Sequence, residues 1–162
     1  MTPARVPDAT VLAALAFGES LGERALRELA GAELVAPGLL RYELAEIARR
    51  KLRANPSLHD AILEGLGIVQ SLPIRYLEPE PAALLELALR RNLSPRDSAY
   101  VWTSRVMGAR LLSFDGLLAS QPESLKDSSA SSGGEPSRTR LKAAAPGRGT
   151  RSSGKASSRR KR

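Results

Sequence analysis

Residues 5–17, RVPDATVLAALAF, place a short strand directly before a helix. The predicted strand, Arg5–Asp8, ends in an acidic residue, and the apolar positions of Leu12–Phe17 fit a helix. A strand that passes at once into a helix is typical of a β–α unit, in which successive strands pair in parallel. This opening therefore predicts an α/β fold.

The same alternation of strand and helix continues outward along the chain. We predict further strands at Glu33–Ala36, Ile74–Leu77 and Ala109–Phe114, and helices at Glu19–Ala30, Leu39–Ala54, Leu58–Leu72, Pro81–Arg91 and Pro95–Met107. Strands separated by long helices pair in parallel through right-handed crossovers. The predicted fold is a three-layer α/β/α domain with a central parallel sheet, and sites in such sheets form at the carboxyl ends of the strands.

The composition changes abruptly near residues 123–128. Beyond this boundary Leu141 is the only large aliphatic residue and no aromatic residue occurs. Such a segment cannot bury enough apolar surface to offset its chain entropy. We therefore predict a folded domain over residues 1–125 and a disordered, low-complexity tail over residues 126–162.

The net charge of +8 belongs to that tail. Residues 1–125 contain 14 Lys and Arg against 15 Asp and Glu, whereas residues 126–162 contain 11 against 2. The folded part is thus close to neutral, and its charge indicates no particular partner. The tail has the basic composition of segments that bind phosphate groups.

The residue content excludes several kinds of site. There is no cysteine, so neither disulfides nor thiolate metal ligands are available, and the single histidine, His59, excludes histidine-rich zinc sites. His59 is predicted to be a solvated surface residue. Any metal site must use oxygen ligands, which favours Mg²⁺ or Mn²⁺.

The hydropathy pattern indicates neither a membrane span nor a signal for secretion. No run of about 18 apolar residues occurs, and residues 1–9 do not resemble a secretory signal. We expect a cytoplasmic protein with no membrane partner.

Four acidic residues are candidates for chemistry: Asp8, Glu43, Asp97 and Asp115. Asp8 ends the first predicted strand and Asp115 follows the last, which places both at the carboxyl edge of the sheet. Four carboxylates in one cleft would repel each other, and a divalent cation would remove that repulsion. In that arrangement Asp8 and Asp97 are the first choices as direct ligands and Asp115 is the next, while Glu43 could act through a water.

Each acid also has a purely structural interpretation. Asp8 fits a helix N-cap equally well. Glu43 taken alone fits an exposed helical residue paired with a neighbouring base, and Asp115 fits an Asp-Gly turn. Asp97 fits the third helical position of a capping box begun by Ser94. Considered singly, the last three are better explained by structure than by chemistry.

The four acids together resemble the PIN domain family. The matching features are a strand ending in Asp8 with Thr10 two residues later, Glu43 on the helix after Pro37, Asp97 with Tyr100 on a later helix, and GARLLSFD at residues 108–115. Their order and spacing agree with the family over roughly 115 residues. The chain is most similar to the VapC-like toxins of toxin–antitoxin pairs.

The resemblance implies a metal-dependent endoribonuclease that leaves a 5′-phosphate on its RNA product. It implies that Asp8, Glu43, Asp97 and Asp115 hold Mg²⁺ or Mn²⁺, and that the hydroxyls of Thr10 and Ser113 support these ligands or a water. It also implies a homodimer and an antitoxin protein as partner.

One departure from the family pattern leaves other functions open. PIN domains usually continue after the last Asp with a helix and a fifth strand, but here Gly116–Leu118 is followed by Gln121, Pro122 and the tail. The final strand is therefore predicted to be missing. The alternatives are a catalytically inactive PIN-fold module that binds RNA through its basic tail, and a PIN nuclease that processes RNA or acts on DNA ends.

Several basic and aromatic residues carry weaker expectations. Arg41 and Arg96 flank the acids and could contact substrate phosphate. Tyr100 and Trp102 are expected in the core rather than as platforms for base stacking. The basic residues between Arg49 and Arg53 are expected to form a solvated helix end, with an RNA path as the alternative.

Overall fold

The computed structural model describes residues 2–120. The predicted tail, residues 126–162, lies outside the described residues. The predicted absence of a fifth strand also concerns residues beyond 120.

Four parallel strands form one sheet. They are β1 (Ala4–Pro7), β2 (Glu33–Pro37), β3 (Ile74–Leu77) and β4 (Arg110–Leu112), in the order β3-β2-β1-β4. β1 therefore lies between β2 and β4, and the amide of Asp8 extends the β1–β4 pairing with a 2.9 Å hydrogen bond to the carbonyl of Leu112. The predicted central parallel sheet is confirmed.

Seven α-helices and one 3₁₀ turn (Pro56–Leu58) occur in the described residues. The helices are α1 (Ala9–Ala16), α2 (Gly22–Leu29), α3 (Leu40–Ala54), α4 (His59–Ser71), α5 (Pro81–Arg91), α6 (Pro95–Met107) and α7 (Gly116–Ala119). No helix within residues 2–120 is long and apolar enough to cross a membrane.

The strand order determines how the helices divide into two layers. The connections from β1 to β2 and from β2 to β3 step in one direction along the sheet, whereas the connection from β3 to β4 returns in the other. Because such crossovers are right-handed, the returning connection places α5 and α6 on the opposite face. Accordingly, α1 contacts α2, α3 and α4, while α6 contacts α5 and the strands. The predicted three-layer α/β/α architecture is confirmed.

The core lies between the sheet and these helices. Val6 and Val35 on the two central strands are fully buried, as are Leu12 on α1, Leu40 on α3 and Thr103 on α6. Tyr100 is 2% exposed and belongs to the same apolar cluster, while Trp102 packs against it. The expected core positions of these two aromatic residues are confirmed.

Several boundaries differ from the prediction, and two of these differences, at the ends of β1 and β4, have identifiable reasons. β1 ends at Pro7, because the carboxylate of Asp8 caps α1 and the helix begins at once with Ala9. β4 ends at Leu112 instead of Phe114, because the side chain of Ser113 bonds to Asp8 and the amide of Phe114 bonds to Thr10. Both changes bring polar groups to the carboxyl edge of the sheet.

Candidate active site

All four candidate acids line one cavity of about 470 Å³. Asp8 follows β1, and Asp115 follows β4 after a short turn. Glu43 lies in the first turn of α3, which follows β2, and Asp97 lies in the first turn of α6. The parallel sheet and the helix starts thus bring together carboxylates that are up to 107 positions apart in the sequence.

Asp8 is the most enclosed of the four, with 4% of its surface exposed. Its Oδ1 accepts hydrogen bonds from the amide and the hydroxyl of Thr10, at 2.9 and 2.6 Å, and from the amide of Val11 at 3.1 Å. Its Oδ2 accepts one bond, at 2.5 Å, from the hydroxyl of Ser113. Oδ1 is therefore fully used as a helix cap, and Oδ2 is the oxygen with a remaining lone pair.

Thr10 and Ser113 join the two strand ends through Asp8. The Thr10 hydroxyl, which donates to Asp8, accepts from the amide of Phe114 at 2.9 Å. The Ser113 hydroxyl, which also donates to Asp8, accepts from the amide of Asp115 at 2.9 Å. The two hydroxyls that the sequence singled out thus fix the Asp8 carboxylate relative to the turn that carries Asp115.

Glu43 is held by two residues of α6. Arg96 donates from Nε to Oε1 of Glu43 at 2.7 Å, and the hydroxyl of Tyr100 donates to Oε2. The side chain of Glu43 is 14% exposed, so its charge is only partly solvated. Burial raises the pKa of Glu43, the bonds from Tyr100 and Arg96 oppose that rise, and the nearby charge of Asp8 adds to it.

The same contact changes the acidity of Tyr100. Burial raises the pKa of the Tyr100 hydroxyl far above its ordinary range, and the Glu43 carboxylate adds to that effect. Tyr100 therefore stays protonated and acts as a hydrogen-bond donor to Glu43 at any physiological pH.

Asp97 is half-buried beside the helix cap that the sequence predicted. Ser94 is the N-cap of α6, and its hydroxyl oxygen accepts from the amide of Asp97 at 3.1 Å. The same hydroxyl lies 2.7 Å from Oδ2 of Asp97 and donates to it. The cap uses one oxygen of Asp97, and Oδ1 makes no hydrogen bond within residues 2–120.

The cavity also contains residues that sequence reasoning did not place there. Glu46, Ile47 and Arg50 line it from α3, and Leu118 lines it from α7. The three residues of α3 follow Glu43 at intervals of three, four and seven, which is the spacing of one helix face. That periodicity was the available signal for them.

The remaining basic candidates divide between the cavity and other surfaces. Arg96 lines the cavity, whereas Arg41 lies over the ring of Tyr76 at 3.9 Å and lines a different pocket. In the basic cluster at the end of α3, Arg50 lines the acidic cavity, but Arg49 pairs with Glu46 at 2.5 Å and Lys51 pairs with Glu19 at 2.7 Å. Arg50 therefore faces the cavity, while Arg49 and Lys51 form ion pairs on the surface.

His59 is exposed and takes no part in the cavity. Its side chain is 63% exposed and lies 3.0 Å from the carboxylate of Asp60. The predicted surface position of His59 is confirmed.

The cavity lining suits a hard divalent cation in the chemistry of its donors. The four carboxylates are oxygen ligands of the kind that Mg²⁺ and Mn²⁺ prefer, and Oδ2 of Asp8 and Oδ1 of Asp97 keep lone pairs. Within residues 2–120, however, no group of three or more acidic or histidine side chains is close enough to hold a metal ion. Binding of one cation by three or more of these carboxylates would therefore require them to draw together.

A family model for the PIN domain matches residues 5–122 of this chain. The chain belongs to the PIN domain family. The matched residues include all four candidate acids, together with Thr10 and Ser113. PIN domains are generally nucleases, so the fold is one of nuclease type and is suited to binding RNA.

A solved structure supports the same fold for this PIN domain. The crystal structure of PAE2754 from Pyrobaculum aerophilum superposes on it with a TM-score of 0.59 and 23% sequence identity. The similarity covers 73% of this chain and 84% of the other. No curated protein matches the chain significantly.

Proposed function

We propose that this PIN domain is a metal-dependent endoribonuclease that hydrolyses RNA phosphodiester bonds in the acidic cavity. The observation that carries the proposal is the meeting of Asp8, Glu43, Asp97 and Asp115 on one cavity at the carboxyl edge of the sheet. A structural role for each acid taken singly does not account for their convergence. The cap contacts of Asp8 and Asp97 use only part of each carboxylate.

Asp8, Asp97 and Asp115 are the proposed ligands of Mg²⁺ or Mn²⁺, with Glu43 completing the set directly or through a water. When bound, such a cation supplies positive charge to the phosphoryl oxygens and lowers the pKa of a water. Thr10 and Ser113 fix the orientation of Asp8, and Arg96 and Tyr100 fix that of Glu43. Neither cysteine nor histidine lines the cavity, so water is the proposed nucleophile.

The proposed biological role is that of the toxin in a type II toxin–antitoxin pair. The small domain and the arrangement of its motifs, which resemble VapC-like toxins, support this role. This role implies an antitoxin protein as partner, a homodimer and a cytoplasmic location. A neighbouring short reading frame that encodes a DNA-binding antitoxin would favour this role over a nuclease of RNA processing.

A second candidate is a PIN-fold module that binds RNA without cleaving it. The absence of a ready-made metal group within residues 2–120 favours this candidate, as does the basic composition of residues 126–162. The two candidates differ in whether a divalent metal makes the protein cut RNA.

The deciding experiment measures cleavage of an RNA substrate with Mg²⁺, with Mn²⁺ and with EDTA. The wild-type chain should cut only with metal, and Asp97→Asn should lower the rate by about a hundredfold or more, because it removes a ligand charge. Asparagine keeps the size of the side chain, so α6 and the thermal melt should change little. Asp60→Asn, at a fully exposed position outside the cavity, is the matched control.

Two outcomes would count against the proposal. If folded Asp97→Asn cleaves RNA at the wild-type rate, Asp97 is not a ligand of a catalytic metal and the proposed mechanism is wrong. RNA binding by the wild-type chain without cleavage in either metal would favour the binding module.

A further inference from the structure

Arg96 is the one residue of the cavity that touches a candidate acid and also offers hydrogen-bond donors that the described chain does not use. Its Nε is bonded to Glu43 at 2.7 Å. The two Nη groups make no hydrogen bond within residues 2–120. The side chain is 61% exposed although it lines the cavity, so those groups are accessible to a ligand.

The geometry of a guanidinium makes this arrangement useful. Its five N–H donors lie in a rigid plane, so one edge can hold a carboxylate while the other holds a phosphate with two parallel bonds. A side chain that is already fixed by one partner loses less conformational freedom when it binds a second. Glu43, itself held by Tyr100, provides that fixed point.

Few side chains in the cavity lining can attract a phosphate. Five carboxylates line the cavity, from Asp8, Glu43, Glu46, Asp97 and Asp115, and they repel the phosphates of a nucleic acid. The positive side chains in the lining are Arg50 and Arg96. Of these two, Arg96 bonds to a candidate acid, Glu43, and directly precedes Asp97.

We propose that Arg96 is a substrate-contacting residue, which holds Glu43 through Nε and binds a phosphate of the RNA strand through its Nη groups. This inference rests on the proposed function, because it needs RNA as the ligand. It assigns to Arg96 a role in substrate binding beyond the orientation of Glu43.

The test compares the affinity of purified full-length variants for a short single-stranded RNA oligonucleotide in EDTA, where no cleavage interferes. Arg96→Lys keeps the positive charge but loses the planar pair of Nη donors, and Arg96→Gln loses both the charge and these donors. We expect each to weaken RNA binding by about tenfold, and Arg96→Gln to reduce the salt dependence by about one phosphate contact. Arg90→Lys and Arg90→Gln, at an exposed position of α5 outside the cavity, are the matched controls. Thermal melts establish that all four variants are folded.

A second measurement separates substrate contact from the positioning of Glu43. The affinity of each variant for Mn²⁺ alone reports on the carboxylates. If Arg96→Lys changes Mn²⁺ affinity but binds RNA as the Arg90 variants do, Arg96 serves only Glu43 and the inference is wrong. It is equally wrong if the wild-type chain binds no RNA.

The inference and the proposed function can fail separately. If RNA binding depends on Arg96 but the chain never cleaves RNA, the proposed phosphate contact stands and the proposed nuclease activity is wrong. If the chain cleaves RNA with metal, but the Arg96 variants match the Arg90 variants in both RNA affinity and cleavage rate, the proposed nuclease activity stands. The proposed contact between Arg96 and phosphate is then wrong.

Discussion

At Glu43 the fold retains a carboxylate in a place where its charge destabilises the folded state. Burial raises its pKa, and the bonds from Tyr100 and Arg96 offset only part of that cost. A buried acid of this kind is common where chemistry requires it, since residues with perturbed pKa values cluster at functional sites. The charged carboxylate of Glu43 therefore lowers the stability of the fold, although the proposed activity needs it.

The raised pKa gives a prediction with a definite sign. The folded chain holds the Glu43 proton more tightly than the unfolded chain does, so this residue's contribution to stability declines as the pH rises from the unfolded pKa through the folded one. Glu43→Gln cannot titrate. In melts with EDTA between about pH 4 and pH 7, we expect the free energy of unfolding of the variant to increase relative to wild type as the pH rises.

Only the change with pH matters in this comparison, because a constant offset reflects other differences between the two side chains. Glu64→Gln, at an exposed position of α4 outside the cavity, is the matched control for replacing a carboxylate with an amide. A wild-type chain that gains stability over Glu43→Gln as the pH rises would contradict the prediction.

At the scale of elements, α6 combines structure and chemistry in its first turn. Ser94 caps the helix and also donates to Asp97, while Asp97, Arg96 and Tyr100 all reach the cavity from the same helix. The start of α6 therefore positions Asp97 directly and Glu43 through Arg96 and Tyr100. Loss of the Ser94 cap should therefore lower the stability of the fold and displace the side chains that α6 contributes to the cavity.

Ser94→Ala tests the contribution of the cap to stability. Removal of an N-cap serine costs about 1 kcal/mol, so the free energy of unfolding measured by urea denaturation should fall by about that amount. Ser20→Ala, in an exposed turn, is the control for the loss of a surface hydroxyl. An unchanged free energy of unfolding in Ser94→Ala would show that the cap does not stabilise α6.

The sequence predicted these elements well because their signals are local. The alternation of short apolar runs with amphipathic stretches indicated every strand, and Ser94, Pro95 and Asp97 indicated the start of α6 at the correct residue. The error at the end of β4 arises from tertiary contacts. β4 is shorter than predicted because Ser113 and Phe114 bond across to Asp8 and Thr10, which are more than 100 residues away.

At the scale of the whole molecule, the prediction that the four acids lie together rested on the topology of a parallel sheet and on the resemblance to a family. The sequence could not show that Tyr100 and Arg96 hold Glu43, since these contacts join residues 57 and 53 positions apart. Tyr100 was correctly expected in the core, but the partner of its hydroxyl depends on how α3 and α6 approach each other. Long-range pairing of this kind leaves no local signal.

The charge separation along the chain gives a prediction for the whole molecule. Residues 126–162 carry 11 basic and 2 acidic residues, whereas all four candidate acids precede them. Replacing the basic residues of this segment with glutamine should weaken nonspecific RNA binding and reduce its dependence on salt, because fewer counterions are released from phosphate. Cleavage of a short RNA at low salt should survive. The measurements are RNA affinity across a salt series and the cleavage rate with Mg²⁺.

A chain shortened to residues 1–125 distinguishes a binding role of this segment from a structural one. The segment contains one large aliphatic residue, Leu141, and no aromatic residue, so its removal takes away little apolar surface that could stabilise the domain. We expect the shortened chain to melt within a few degrees of the full chain and to lose RNA affinity as the glutamine variant does. A melting temperature many degrees lower would show that residues 126–162 help to complete the fold. The domain boundary at residue 125 would then be wrong, and the weaker RNA binding of the shortened chain could no longer be attributed to charge alone.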